Sequence, residues 1–351
     1  MSKICIVGTT SWGMTLALVM ARKGLTTHLW ARTEEEAEHL RLKGPDSLQL
    51  PNITFPGNLK ITSSLPEALK QSNAIILAVP SQCMRQNARL LQNGLSSYRL
   101  LISAAKGFET GSNKRMSQVI ADEIAPDFHR NICALSGPNL ALEIAQGMPA
   151  AAVVANTDKT IAQRAQKLLD APGFSVYTNH DVTGVELGGA LKNIIALGAG
   201  MIDGLGYGDN AKAAFITRGL TEMSAFAMAL GANPLTLSGL AGLGDVIATC
   251  SSRLSRNHFV GEELTRGRSL KDIISGMAGV AEGVTTTQAV WEQSQKLKLE
   301  MPITHGIYQV LYKDGNARQI IASTLGSTLK HELAGRKWGF SSFFKLARWR
   351  K

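Results

Sequence analysis

The stretch KICIVGTTSWGMTLALVMARKG, residues 3–24, constrains the fold more than any other. A short apolar run, KICIV, has the length and composition of a buried strand. Two glycines, Gly8 and Gly13, then bracket a turn, and the residues from Trp12 to Lys23 suit a helix. The turn nearly reads G-x-G-x-x-G, the motif that binds dinucleotides, with Thr10 at the middle glycine position. In that motif the first glycine makes the bend and the second admits the pyrophosphate to the backbone. The third lets the helix pack on the strand, and the helix N-terminus faces the anion. Met14 stands where a P-loop would carry its lysine, which excludes that motif. The competing reading is an ordinary strand–turn–helix with two glycines. If the middle position demands an unfavourable backbone geometry, a threonine there costs about 1–3 kcal/mol. That corresponds to a roughly fivefold to hundredfold loss of affinity. A Thr10 hydroxyl donating to the pyrophosphate would offset part of it.

Apolar runs and amphipathic stretches alternate through the first half. KICIV, THLWA, NAIILAV, RLLISA, NICALS and AAVVA read as strands, with helices expected at Trp12–Lys23, Glu34–Lys43 and Lys114–Ile124. The pattern predicts a Rossmann-like, doubly wound α/β domain with a mostly parallel sheet. Beyond about Thr178 the strands give way to long helical stretches rich in Ala, Gly, Leu and Met, which predict an all-α C-terminal domain. The expected division is 1–180, 181–335 and a tail at 336–351. About twenty residues past Gly13, where an NAD site places an acid on the ribose 2′-hydroxyl, stands Arg32. An arginine there suits a 2′-phosphate and so favours NADP over NAD. A solvated arginine at a strand end is the alternative.

The net charge of +10 is concentrated in the tail, where six cations and no acid occur in RKWGFSSFFKLARWRK. The modestly positive remainder suits an acidic small molecule, and no nucleic-acid-binding pattern accompanies it. If the tail is helical, Phe340, Phe343, Phe344 and Ala347 share one face, with Trp338 and Trp349 flanking it. That is the pattern of a weak membrane-surface contact; docking on the body or on a second subunit is the competing expectation. Cys5, Cys83, Cys133 and Cys250 are scattered and the seven histidines lack metal-ligand spacing. Reduced thiols, no metal, and no leader or membrane span point to a cytoplasmic chain. A homodimer is compatible with all of this.

Two segments carry a specific resemblance: VELGGALKNIIALGAGMIDGLGYGDNAKAAFITRGLTEM, Val185 to Met223, and AGLGDVIATCSSRLSRN, Ala241 to Asn257. With GTTSWG, AVPS, SAAKGFE, LSGPN and EGVTTTQAV in the same order, they resemble the bacterial-type NAD(P)-dependent glycerol-3-phosphate dehydrogenases over about residues 3–330. The resemblance implies reversible reduction of dihydroxyacetone phosphate to sn-glycerol 3-phosphate, with the product supplying phospholipid synthesis. It implies NAD(P)H as cofactor, of which NADP is the form that Arg32 favours, with NAD also used, and an active site between the two domains. Lys192 resembles the general acid/base, with Asp245 orienting it or accepting from a substrate hydroxyl and Lys106 as a rival donor touching both cofactor and substrate; Lys192 and Asp245 are implied in substrate binding as well. Gly137, Asn139, Asn193, Thr249, Ser255, Arg256 and Asn257 are implied on the substrate side, the SRN triplet holding its phosphate. Gly8, Ser11, Trp12, Gly13, Arg32, Ala141, Arg256, Val280 and Glu282 are implied on the cofactor side, with Glu282 near the ribose or nicotinamide.

Departures from the family pattern are Thr10, an asparagine at 139 where Ser or Thr is commoner, and the tail. Two other functions compete: a related dehydrogenase of another small anionic hydroxy substrate, and a catalytically silent nucleotide sensor. Retention of Lys192 and Asp245 argues against the second.

Overall fold

The computed structural model describes residues 3–45, 50–95, 99–277 and 279–326. Its first part is one eight-stranded sheet in the order β3-β2-β1-β4-β5-β6-β7-β8. The strands are β1 (Lys3–Val7), β2 (Thr26–Trp30), β3 (Leu59–Thr62), β4 (Ser72–Leu77), β5 (Leu100–Ser103), β6 (Ile132–Ser136), β7 (Ala150–Ala155) and β8 (Phe174–Asn179). All neighbours pair in parallel except β6 with β7. The near-continuous apolar runs have a simple cause: the inner strands are covered on both faces. One face packs Ile4, Ile6, Ile76 and Ile102; the other packs Cys5, Val7, Ile75 and Leu101. Strand order reverses between β1 and β4, so a crevice opens beyond their carboxyl ends, the usual ligand position in such sheets.

The expected helices occur as Ser11–Arg22 (α1), Glu34–Lys43 (α2) and Met116–Glu123. β3 and β8, not anticipated from the sequence, are the two edge strands. After β8 the described residues, as far as 326, are helical and pack their own core around Val182–Gly204, the central helix. That helix is long and apolar enough to cross a membrane, yet nearly all of it is buried within the protein. A small cluster of Ala134, Val153, Ala155, Val185 and Ala241 joins the end of the sheet to this helical layer. All four cysteines are free. The basic aromatic tail at 336–351, with its expected membrane-facing helix, lies outside the described residues.

Candidate active site

The glycine turn leads β1 into α1. Gly8 has φ +114°, and a Cβ there would lie 2.7 Å from the Ala78 carbonyl oxygen; one on Gly13 would lie 2.0 Å from the Gly8 carbonyl oxygen. No larger residue fits either place. Thr10 corrects the expectation of strain. Its backbone is ordinary and extended, with φ −63° and ψ 160°, and it is the N-cap of α1. The hydroxyl accepts from Gly13 N at 3.0 Å and donates to the Ala78 carbonyl at 2.7 Å, so its proton is already committed within the protein. With Gly13 N–H taken by the cap, the Ser11 and Trp12 N–H groups are those at the start of α1 left without an intrahelical acceptor, and a helix N-terminus favours an anion. The Trp12 ring packs edge-on to Phe174 at 6.4 Å, which leaves its backbone N–H as its contribution there. Ala141 adjoins the same turn through its carbonyl, which accepts from Thr15 Oγ1 at 3.0 Å.

Arg32 lies just past β2, exposed, with Nη1 donating to Gln86 Oε1 at 3.2 Å. Its backbone N–H donates to Glu36 Oε2 at 2.9 Å, and the other Glu36 oxygen accepts the Thr9 hydroxyl. Glu36 is one of three consecutive acids opening α2, a run with no outward mark of the one that turns back to the glycine turn.

Some distance along the chain, the central helix carries Lys192 into a buried cluster. Lys192 Nζ donates to Thr249 Oγ1 at 2.7 Å and lies 3.2 Å from Asp245 Oδ1. Thr249 in turn donates to Asp245 Oδ1 at 3.1 Å. Lys106, from the loop after β5, reaches Asp245 Oδ2 at 2.5 Å and the Gly137 carbonyl at 2.8 Å. One carboxylate, 1% exposed, thus serves two lysines. Burial lowers the Lys192 pKa to about 8, a shift that Asp245 opposes and Lys106 reinforces. The small residues of the central helix make this geometry possible. A Cβ at Gly189 would lie 2.4 Å from Ser136 Oγ and 3.3 Å from Lys106 Cγ. Asp245 is presented by a π-helical turn, Leu240–Gly244, at the start of the helix Asp245–Ser251.

The remaining substrate-side residues come from three segments: the end of β6, the central helix, and the start of the helix Arg256–Thr265. At the end of β6, Asn139 donates to the Ala151 carbonyl at 3.0 Å. Its Oδ1 and Ser136 Oγ are buried with no hydrogen-bond partner among the described residues, and Ser136 Oγ and the Lys106 side chain both lie against Gly189. Asn193 Oδ1 accepts from Asn257 Nδ2 at 2.8 Å, and Asn257 Oδ1 accepts from Gly283 N at 2.9 Å. The two amides brace each other across helices. Ser255 caps the helix Arg256–Thr265 by accepting from His258 N at 3.2 Å. Arg256 begins that helix and packs against the Gly279 backbone, and burial lowers its pKa against the pull of Glu282. Val280 is 42% exposed at the rim.

Glu282, expected near the ribose or nicotinamide, is held at the crevice by the segment after β4. It accepts from Ser81 N at 2.9 Å and from the Ser81 hydroxyl, tying the start of the helix Glu282–Leu297 to the segment after β4. Burial raises its pKa, and the Ser81 hydrogen bonds and Arg256 oppose that rise.

A glycine turn at a strand-order reversal, together with a lysine–aspartate–lysine cluster around a buried carboxylate, is an arrangement suited to a nicotinamide-dependent oxidoreductase. Residues 3–162 match the N-terminal model of NAD-dependent glycerol-3-phosphate dehydrogenase and residues 181–322 its C-terminal model. The chain belongs to this family. A glycerol-3-phosphate dehydrogenase [NAD(P)+] of Dehalococcoides mccartyi is 56% identical over 100% of this chain and 98% of that protein. One from Chlorobium limicola is 42% identical over 94% of this chain and 99% of its own length. A crystal structure of the Coxiella burnetii glycerol-3-phosphate dehydrogenase superposes with a TM-score of 0.87 at 34% identity, covering 93% of this chain and 99% of that one. Members of the family are oxidoreductases, and this chain carries its Rossmann-like sheet and helical C-terminal layer intact.

Proposed function

We propose that the chain reduces dihydroxyacetone phosphate to sn-glycerol 3-phosphate with NADPH ahead of NADH, reversibly, in the cytoplasm. Residues 1–180 hold the dinucleotide and residues 181–335 supply most of the substrate machinery. The observation that carries this reading is the Lys106–Asp245–Lys192 cluster, in which a buried lysine and a partly buried one share one buried carboxylate, with Thr249 bridging Lys192 and Asp245. Gly8, Gly13 and the first turn of α1 hold the pyrophosphate, and Arg32 receives the 2′-phosphate. When bound, the nicotinamide supplies the hydride.

The protein's own part is to manage charge and one proton. Negative charge develops on the carbonyl oxygen as it is reduced, and Lys192 donates the proton that quenches it. Lys106 stabilises the same oxygen as a fixed cation, and Asp245 keeps both lysines aimed. In the reverse direction, neutral Lys192 takes the proton from the hydroxyl. Arg256, the Ser255 hydroxyl, Asn257 and the N-terminus of Arg256–Thr265 hold the substrate phosphate. Gly137, Asn139, Asn193 and Thr249 orient the carbon skeleton.

Oxidation of NADPH, and separately of NADH, by purified protein with dihydroxyacetone phosphate tests the proposal, with Lys192→Ala alongside. Turnover lost in the variant is expected. A folded wild type without turnover on either cofactor would overturn it. The same preparation serves for two lesser proposals, a homodimer, read by its mass in solution, and a weak membrane contact by residues 336–351. Deleting 337–351 should release protein from anionic vesicles in a sedimentation assay; unchanged sedimentation would sink the membrane contact.

A further inference from the structure

We propose that Glu36 is a cofactor-discriminating residue, whose carboxylate accepts from the ribose 2′-hydroxyl of NAD(H) and opposes the 2′-phosphate that Arg32 attracts. The inference rests on the reading of the crevice as a dinucleotide site.

The position comes first. In a doubly wound sheet the ribose 2′ position lies beside the end of the second strand, next to the glycine turn. Glu36 is tied to both walls of that place. One carboxylate oxygen accepts the hydroxyl of Thr9, the residue after the first glycine, and the other accepts the Arg32 backbone N–H at 2.9 Å, just past β2. An ionised carboxylate has about four acceptor sites, so two remain for a ligand after these bonds. The Thr33 hydroxyl anchors the backbone of the same residue by accepting from Glu36 N at 3.2 Å. Glu36 is half-buried, so its side chain is held and not free to swing into solvent.

Neighbouring acids do not share the role. Glu34 pairs with Arg41 at 2.8 Å and takes the Ser63 hydroxyl on the far side of the helix start. Glu35 is exposed and bonds the backbone of its own turn and Thr33. Of the three acids in the first turn of α2, only Glu36 faces the glycine turn.

The two cofactors then make opposite demands on one spot. A 2′-hydroxyl donates to a carboxylate, whereas a 2′-phosphate is repelled by it and drawn to a guanidinium. Arg32 Nη1 is engaged with Gln86 Oε1 at 3.2 Å, which leaves the rest of its fork for a phosphate. With Arg32 and Glu36 both at the end of β2, neither cofactor is refused, and the margin between them is set by this pair.

The test is equilibrium binding of NADH and of NADPH to the full-length protein without substrate, followed by the nicotinamide's own fluorescence. Glu36→Gln should raise the Kd for NADH about tenfold and lower that for NADPH about threefold, since a neutral amide is a weaker acceptor and no longer repels phosphate. Glu36→Asp, which keeps the charge but shortens the reach, should weaken NADH without any gain for NADPH. A parallel loss of both nucleotides in Glu36→Gln would mean that the residue only braces the turn, and an unchanged ratio would mean that it does not reach the ribose; either overturns the inference. If the wild type binds neither nucleotide, the dinucleotide reading itself fails, and the inference with it.

Discussion

Chemistry at the residue scale turns on how one carboxylate is divided between two lysines. Burial disfavours the charged form of Lys192 and brings its pKa down to about 8, so the ammonium is lost as pH rises through that value. Carbonyl reduction needs the ammonium, so its kcat/KM should be level below about pH 8 and fall about tenfold per unit above it. Oxidation of glycerol 3-phosphate needs the neutral amine, and its kcat/KM should rise with pH up to the same inflection. Profiles of kcat/KM in both directions check this, and two profiles of the same sign would reject Lys192 as the proton carrier. Asp245→Asn removes the anion that lies 2.5 Å from Lys106 Nζ and 3.2 Å from Lys192 Nζ. Two ammonium groups then face each other without a counter-charge, and the Lys192 pKa drops further. The expected result is a reductive inflection displaced to lower pH and a kcat reduced roughly a hundredfold or more. An unshifted inflection would show that Asp245 does not set the lysine's charge.

Elements carry the residues to these places, and the threonine in the glycine turn shows how. Thr10 caps α1 and bonds the Ala78 carbonyl, so Thr10→Ala loses both contacts. It should cost about 1–2 kcal/mol of stability while NADPH affinity changes by less than about threefold. Urea melts and a binding titration separate the two effects; a large affinity loss with unchanged stability would mean the hydroxyl serves the ligand after all. The inner strands were legible because burial on both faces enforces continuous apolar runs such as ICIV and AIIL. β3 and β8 were not, because each is an edge strand: LKIT has one exposed residue in four, and FSVYTN alternates buried and exposed positions along its first four. Short, half-polar edges look like loops in a sequence. Much the same holds in the site. Lys106, Lys192 and Asp245 stand in distinctive motifs, and the structure brings them together. Glu36 and Ser81 were missed, because a run of acids in a first helical turn also suits the helix dipole. A serine after a strand gives no hint that a glutamate 201 positions away will bind it.

The whole molecule has separate hydrophobic cores in its sheet and its helical layer, and buried polar groups fasten one to the other. The Lys106–Asp245 pair and the Ser81–Glu282 bonds are two such fasteners, and both belong to the site. A third lies away from it. Glu186, on the central helix, accepts from Ser117 N and from Ser117 Oγ, each at 2.7 Å, and pairs with Arg115. It thereby caps the helix Met116–Glu123, whose N-cap, Arg115, offers no acidic or hydroxyl oxygen of its own. The Glu186 side chain is only 7% exposed and that of Arg115 18%, so neither regains full hydration when the other is removed. Glu186→Ala should therefore destabilise the protein by about 2–4 kcal/mol, nearer the cost of breaking a buried pair than a surface one. Lys192 lies nearly two turns further along the same helix and keeps its own partners, Thr249 and Asp245. The kcat at 25 °C should accordingly stay within a fewfold of wild type while the urea midpoint falls. If the two layers act as one cooperative body, the melt stays a single transition at the lower midpoint. If Glu186 is the fastener that couples them, sheet and helical layer unfold in separate steps, with a probe on Trp12 and one on Trp291 reporting different midpoints. A variant with unchanged midpoints and lost activity would contradict both and move Glu186 into the chemistry.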